Sequence, residues 1–286
     1  MGTVWTQEWI EAARQEIERA EPPYPSLAPE GWLAQSLREA PPLPSLLRVL
    51  GAHRTPWKSH PAQGIDLFSD LVHRGGDLGQ EILRVYSERS GWRCLTLGEL
   101  RARSARLATA WARSGVKSGQ RIAIVLPLSA EYVVALVTAL RLGLCACPMP
   151  PRGALLMQAR LQALAPDFVY SSSLYVPLLQ RLSEHPGLPA LPDLEERLLF
   201  DEPVGMAQET YFASHTYAAD EPALVLFDPH REPAESLTEV TSGALLTALA
   251  LDLLFTFVTA PGHVLAAPGA LAEQLHPTLP LAALLG

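Results

Sequence analysis

The sequence has few cysteines and no cluster of basic residues, and both absences restrict what the chain can be. Three cysteines, Cys94, Cys145 and Cys147, occur among 286 residues. That number is odd and too small for a disulfide framework, which favours a reducing compartment. Lys and Arg total 22 against 30 Asp and Glu, so the net charge is -8. Because binding a nucleic-acid backbone requires clustered cations, we expect no nucleic-acid partner.

Signals for export and for membrane insertion are also missing. The first residues, MGTVWTQEWIEAARQEIERA, are polar and amphipathic, unlike the apolar segment of a secretory signal, and we expect a cytoplasmic protein. The most apolar stretch, ALLTALALDLLFTFVTA at residues 244–260, is short for a membrane span and contains Asp252. A charge at the bilayer centre costs about 3 kcal/mol, so we predict a buried helix and no membrane span.

Common catalytic and metal-binding patterns are not found either. The chain has no Gly-x-Gly-x-x-Gly and no Gly-Lys-Ser/Thr, and no Gly-x-Ser-x-Gly surrounds the serines at residues 171–173. Cys145 and Cys147 alternate on a predicted strand and share a face, but none of the eight histidines supplies a second ligand pair at metal spacing. We interpret the cysteines as buried strand residues and the acidic pairs at 195–196 and 201–202 as solvated. The prediction is no catalytic residue and no metal site.

Residues 1–62 differ in composition from the rest of the chain. Trp9, Ala13 and Ile17 lie on one predicted helical stripe, and a run of prolines from Pro22 to Pro29 ends that helix. A second short helix is predicted at residues 45–50. We therefore predict a helical, proline-rich extension, which either packs on the outside of the main domain or docks a partner.

From residue 63 to 286 the pattern predicts alternating helices and strands. Thr96 and Glu99 form a capping box at the start of a helix that ends at Gly115, and Ser129 caps a second helix. Such alternation implies parallel pairing with right-handed crossovers, so the predicted fold is α/β: a doubly wound, mainly parallel sheet with helices on both faces. Strands are predicted at 121–126, 144–149, 168–170, 198–200 and 223–227, and further helices at 155–164 and 176–183.

Three motifs in this region resemble those of the AMP-forming acyl ligases. LTLGEL at 95–100 resembles their Leu-Thr-Tyr-x-Glu-Leu motif. The turn at 115–121 and the following VLPLSAEYVVALVTALRLG at 125–143 resemble their Gly-Asp-Arg-Val strand and Pro-Asn-Ser-x-Glu-Phe helix. LRLGLCACPMP at 140–150 is similar to their Leu-Lys-Ala-Gly-x-x-x-Val-Pro-x-x-Pro motif. The motifs occur in family order and spacing, and the family includes acyl-CoA synthetases, fatty acyl-AMP ligases and nonribosomal adenylation domains. The pair Pro150 and Pro151 at the end of this motif resembles the corresponding residues of the fatty acyl ligases.

A further family motif aligns with residues 220–246, but its phosphate-binding loop is altered. The resemblance implies Thr-Ser-Gly-Thr-Thr-Gly-x-Pro-Lys-Gly after the strand, with Ala234 or Ser236 at the position of the Lys. This chain instead has a degenerate loop that contains Asp228, Pro229, His230, Arg231 and Glu232.

The physical chemistry of the degenerate loop is unfavourable for a nucleotide. A phosphate cradle needs glycines, hydroxyls and a lysine. Asp228 and Glu232 add negative charge, and two like charges ~4 Å apart repel by about 4 kcal/mol at an effective dielectric constant near 20. Pro229 and Pro233 each remove a backbone donor. His230 and Arg231 are interpreted as a solvated turn, so no cofactor is expected.

The resemblance and its departures lead to two functional hypotheses. The first is a degenerate or truncated relative of the acyl-adenylating ligases that is inactive alone and acts as a binding or scaffold partner. It includes an incomplete AMP-binding-like domain at 63–286 and a protein partner or homo-oligomer, and a site for an acyl ligand without ATP chemistry is a further open reading. The alternative is the front part of a split acyl-CoA synthetase or fatty acyl-AMP ligase, which would use ATP and Mg when completed by another chain.

Overall fold

The computed structural model describes residues 64–72, 77–87, 91–151, 153–175, 177, 179, 198–200, 213–227, 233, 237–251, 281 and 284. The predicted N-terminal extension, most of the predicted helix at 176–183 and the altered residues 228–232 lie outside this set. The described helices are α1 (Leu67–Val72), α2 (Leu97–Arg113), α3 (Ala130–Arg141), α4 (Ala154–Leu164) and α5 (Ser242–Leu251). The described strands are β1 (Glu81–Ser87), β2 (Gly91–Thr96), β3 (Arg121–Val125), β4 (Cys145–Pro148), β5 (Phe168–Ser171), β6 (Leu198–Phe200), β7 (Pro222–Phe227) and β8 (Leu237–Thr241).

The main sheet has six strands in the order β6-β5-β3-β4-β7-β8. The pairs from β6 to β7 are parallel, and β8 is antiparallel to β7. β1 and β2 form a separate antiparallel hairpin. The chain order and the strand order differ because β5 returns to the other side of β3, as in a doubly wound sheet.

Helices cover both faces of this sheet. On β3, Ile122 and Ile124 contribute to a core with residues of α1, α2, α3 and α5, whereas Ala123 and Val125 contribute to a second core with residues of α4. Side chains alternate between the faces of a strand, so a continuous apolar run is expected where both faces are buried. The predicted doubly wound, mainly parallel α/β fold is confirmed.

The predicted helix caps are also confirmed. The backbone N–H of Glu99 donates to Thr96 Oγ1 at 3.2 Å, and the backbone N–H of Thr96 donates to Glu99 Oε2 at 2.9 Å. At α3, the backbone N–H of Tyr132 donates to Ser129 Oγ at 3.1 Å. These bonds satisfy donors that a helix start leaves without partners, which is why the local sequence indicates both starts.

Three elements were not predicted: α1, the β1–β2 hairpin and β8. The sequence suggested a strand, a loop and a helix start within residues 220–246, but β8 lies between that loop and α5. Its residues are half-buried or exposed, so they lack the apolar run of a central strand. Pairing with β7 determines this edge strand, and local propensity does not reveal such pairing.

Gly143 lies at a crowded corner between α3 and β4. Its φ is +74°, and a Cβ there would lie 2.4 Å from His215 Cγ and 2.6 Å from Ser118 Oγ. Its carbonyl accepts a hydrogen bond from the backbone N–H of Gly119 at 2.8 Å, which ties the turn before β3 to the turn before β4. Glycine is required here for both its conformation and its size.

We expect Gly143→Ala to destabilise the fold far more than Gly115→Ala. Gly115 also has a positive φ, of +87°, but a Cβ there would meet nothing within 4 Å. The control substitution should cost roughly 1 kcal/mol from backbone strain alone, and Gly143→Ala roughly 3 kcal/mol, because steric overlap adds to the strain. Urea unfolding of both variants measures the difference, and equal losses would contradict the assignment.

Candidate ligand site at the carboxyl ends of the parallel strands

The parallel strands end together at one edge of the sheet, here called the carboxyl edge and defined by Val125, Pro148, Ser171, Phe200 and Phe227. α3 follows β3 on one face, whereas α4 leads to β5 on the other face. Open α/β sheets bind ligands outside the carboxyl ends, where the direction of the connections changes. The candidate site is therefore centred on the ends of β3 and β5.

The polar groups at the centre of the carboxyl edge form hydrogen bonds within the chain. Ser171 is fully buried, and its Oγ donates to the backbone carbonyl of Val125 at 2.9 Å. The backbone N–H of Met149 donates to the carbonyl of Ile124 at 2.9 Å. Ser171 is thus a structural hydroxyl that joins β5 to β3. Of the serines that follow, Ser172 is half-buried and Ser173 is exposed.

β7 and β8 hold the two ends of the degenerate loop. Their pairing runs from Pro222 opposite Thr241 to Phe227 opposite Leu237, so residues 228–236 connect two paired strands. At the base of this connection, the guanidinium carbon of Arg160 lies 5.3 Å from the centroid of the Phe227 ring. This distance is that of a cation–π contact, so α4 is tied to the last residue before the loop.

The start of α5 does not provide an anion site, although helix N-termini often do. The backbone N–H of Ser242 donates to the carbonyl of Glu221 at 2.9 Å, and that of Gly243 to Ala219 at 3.0 Å. The N–H of Ala244 donates to Thr241 Oγ1 at 3.3 Å, so Thr241 helps to cap this helix. The chain's own oxygens therefore occupy the donors that would bind a phosphate.

Cys145 and Cys147 share a face of β4, as predicted, and both are buried in the core against α4. Burial, with a smaller contribution from the charge of Glu239, raises the pKa of Cys145 to about 11. Burial also raises the pKa of Cys147, by more. Across the described residues, no group of three His, Cys, Asp or Glu side chains is placed to hold a metal ion. The remaining cysteine, Cys94, is exposed on β2.

We expect Cys94 alone to react rapidly with a thiol reagent in the folded protein at pH 8. A thiol with a pKa near 11 is about one part in a thousand thiolate at that pH, and burial also blocks access. Absorbance with Ellman's reagent should show one fast equivalent, which Cys94→Ser removes and which rises to three in urea. Fast labelling of Cys145 or Cys147 would show that β4 is not buried.

Three exposed leucines, Leu155, Leu156 and Leu174, follow the carboxyl ends of β4 and β5 and are here called the apolar rim. Leu155 and Leu156 begin α4 and are 62% and 37% exposed, and Leu174, in the turn after β5, is 70% exposed. Exposed leucines grouped at one edge are typical of an association surface. None of the helices that the structure describes has the length and apolar character needed to cross a bilayer.

Comparison with known proteins finds a matching family and solved structures with a similar fold. The family described as AMP-binding enzyme matches residues 80–217. An acyl-CoA synthetase from Brucella canis is similar in fold, with 21% identity, a TM-score of 0.58, and coverage of 69% of this chain and 37% of its own. Fatty acyl-adenylate ligase structures from E. coli and L. pneumophila give 18% identity, a TM-score of 0.56, and coverage of 71% and 37%.

A third structure, apo MatB from Rhodopseudomonas palustris, gives 17% identity, a TM-score of 0.51, and coverage of 67% and 38%. The chain thus spans less than two-fifths of the length of these structures. No curated protein sequence matches it. The fold and the matched segment agree with the motifs: residues 80–217 are similar to the AMP-binding enzyme family, and the described fold is similar to that of these structures.

Proposed function

We propose that this chain is a degenerate relative of the acyl-adenylating ligases that does not activate acids with ATP by itself and acts as a binding or scaffold partner. One observation carries the proposal. β7 and β8 are paired, but the residues that connect them lack the chemistry of a phosphate-binding loop. The strands that hold the loop are present, but the loop between them has no glycine and no lysine.

Electrostatics supports the loss of nucleotide binding. Residues 228–236 contain Asp228, Glu232 and Glu235 against the single cation Arg231, so the loop is acidic. A triphosphate would approach this acidic loop without a lysine to neutralise it. The donors at the start of α5 offer no substitute, because the chain already occupies them.

The apolar rim supports the binding part of the proposal. Leu155, Leu156 and Leu174 are exposed at the edge where ligands of such sheets bind. Each fully buried leucine contributes about 1.5–3 kcal/mol to association when a partner covers it. A protein partner or a second copy of the chain fits such a surface, and an acyl chain fits its apolar character.

We expect no heat when Mg-ATP is titrated into the purified chain in a calorimeter. A variant in which Thr-Ser-Gly-Thr-Thr-Gly-Ser-Pro-Lys-Gly replaces residues 228–237 is the matched test, because it changes only the loop and the first residue of β8. Measurable ATP binding by that variant alone would assign the loss to the loop. Micromolar binding of ATP by the unmodified chain would overturn the proposal.

A second titration with a long-chain acyl-AMP analogue separates the two parts of the proposal. Binding of the analogue without binding of ATP would indicate a retained acyl site. No heat with either ligand would favour a scaffold that binds protein.

The retained framework also favours a second candidate, the front part of a split ligase. The described fold is similar to that of an acyl-CoA synthetase, and that protein is much longer than this chain. If another polypeptide completes the fold, the purified complex should form acyl-AMP from ATP and a carboxylic acid. A complex without pyrophosphate release would exclude this candidate.

We expect the chain to associate through the apolar rim. Light scattering should give a mass above the 31.1 kDa of one chain, and the double substitution Leu155→Glu with Leu174→Glu should lower it to that of a monomer. Leu78→Glu is the control, because Leu78 is 53% exposed but lies beside the start of α2, on the other side of the sheet. A monomeric unmodified chain would contradict a homo-oligomer, and co-purification would then test for another partner.

A further inference from the structure

A serine, a histidine and a glutamate meet at the edge of the sheet opposite the candidate ligand site. Ser118 Oγ lies 3.4 Å from His215 Nδ1, and His215 Nε2 lies 3.0 Å from Glu221 Oε1. Ser118 is exposed, whereas His215 and Glu221 are about one-quarter exposed. Covalent acyl-transfer enzymes also place a nucleophile beside a base that a third group orients. Here the ring nitrogens are reversed relative to the Ser-His-Asp triad, because Nδ1 faces the serine and Nε2 faces the carboxylate.

The amino ends of three parallel strands bring these residues together. Ser118 lies in the turn before β3, Glu221 immediately precedes β7, and the backbone N–H of His215 donates to the carbonyl of Arg141, near the start of β4, at 2.8 Å. Gly143 leaves room for the imidazole, because any side chain there would overlap His215 and Ser118. The cluster thus depends on the sheet order.

The surroundings of the imidazole fix its position. Glu221 accepts from the imidazole through Oε1 and from the backbone N–H of Ala218 through Oε2 at 3.0 Å, which holds the carboxylate in place. The Tyr217 ring packs edge-on against the imidazole at a centroid distance of 4.6 Å. With a proton on Nε2 donated to Glu221, the lone pair of Nδ1 is directed at the hydroxyl of Ser118.

The hydroxyl of Ser118 is held between two acceptors. Ser118 Oγ donates to the carbonyl of Gly143 at 3.3 Å, and its single proton can turn instead to the imidazole. In the part of the chain that the structure describes, the backbone N–H of Ser118 makes no hydrogen bond, so it can donate to an oxyanion formed at the same residue. An exposed hydroxyl, an oriented base and an available N–H donor are thus gathered in one turn.

We propose that Ser118, His215 and Glu221 form an acyl-transfer site for activated acyl esters, such as aryl esters and thioesters. Ser118 Oγ attacks the acyl carbonyl as its proton moves to His215 Nδ1, the bond to the leaving group breaks, and that proton passes to the leaving alcohol or thiol. Water then attacks the serine ester, its proton moves to His215, and the acid is released as Ser118 regains a proton. Glu221 is a positioning residue that holds the imidazole.

This site is independent of the function proposed for the carboxyl edge. It lies at the opposite edge of the sheet and uses no residue of the degenerate loop. A test of nucleotide binding and a test of acyl transfer can therefore give opposite outcomes, and the failure of one proposal does not decide the other.

The test uses the full chain with a fluorophosphonate probe and with p-nitrophenyl acetate. We expect mass spectrometry to locate the adduct on Ser118 and Ser118→Ala to abolish it. His215→Gln should slow adduct formation at least 100-fold, which is within the usual contribution of general-base catalysis. Ser114→Ala is the matched control, because Ser114 Oγ only donates to the carbonyl of Ala110 within the same helix end.

Glu221→Gln tests the positioning role, since the amide keeps an acceptor for the Ala218 N–H but removes the charge. We expect adduct formation to slow at least tenfold with an unchanged melting temperature, whereas a purely structural role would lower the melting temperature and leave the rate unchanged. The absence of an adduct on Ser118, or an adduct that forms equally fast in His215→Gln, would overturn the proposal. Because Ser118 is exposed, Ser118→Ala should fold, and undiminished ester hydrolysis by this variant would also overturn it.

Discussion

Burial of β3 on both faces is the constraint on which the rest of the structure depends. Ile122 and Ile124 pack against one helical layer, and Ala123 and Val125 against the other. β3 also pairs in parallel with β4 and with β5, so its register aligns both neighbours. Parallel strands cannot be joined by tight turns, and each crossover must therefore pass over a face of the sheet. The helices and both edges take their positions from this strand.

The two edges of the sheet have opposite chemical characters. The carboxyl edge has an apolar rim and an acidic connecting loop, while its central serine is bonded to the backbone. The amino edge gathers turns whose polar groups contact one another, among them Ser118, His215 and Glu221. In a fold whose ligands usually bind at the carboxyl ends, this distribution places the polar cluster of Ser118, His215 and Glu221 at the edge opposite the candidate ligand site.

Much of the fold could be predicted because its local signals are strong. RIAIV is an apolar run long enough for a buried strand, and the capping box at Thr96 and Glu99 identifies a helix start. β8 and the β1–β2 hairpin were missed because half-exposed strands depend on their partners. For the candidate site, the position of the degenerate loop followed from the resemblance, but the role of Ser171 did not, because its acceptor lies on β3, 46 residues away.

The sequence by itself determined the alternation of helices and strands, their caps, and a connection at 228–236 without glycine or lysine, because these depend on residues close together in the chain. Only the tertiary structure decided the strand order and the edge strand β8. It also brought His215 to Ser118 across 97 residues of sequence. The physical reason is that crossovers and packing on both faces of the sheet set these distances, and no local pattern specifies which strands become neighbours.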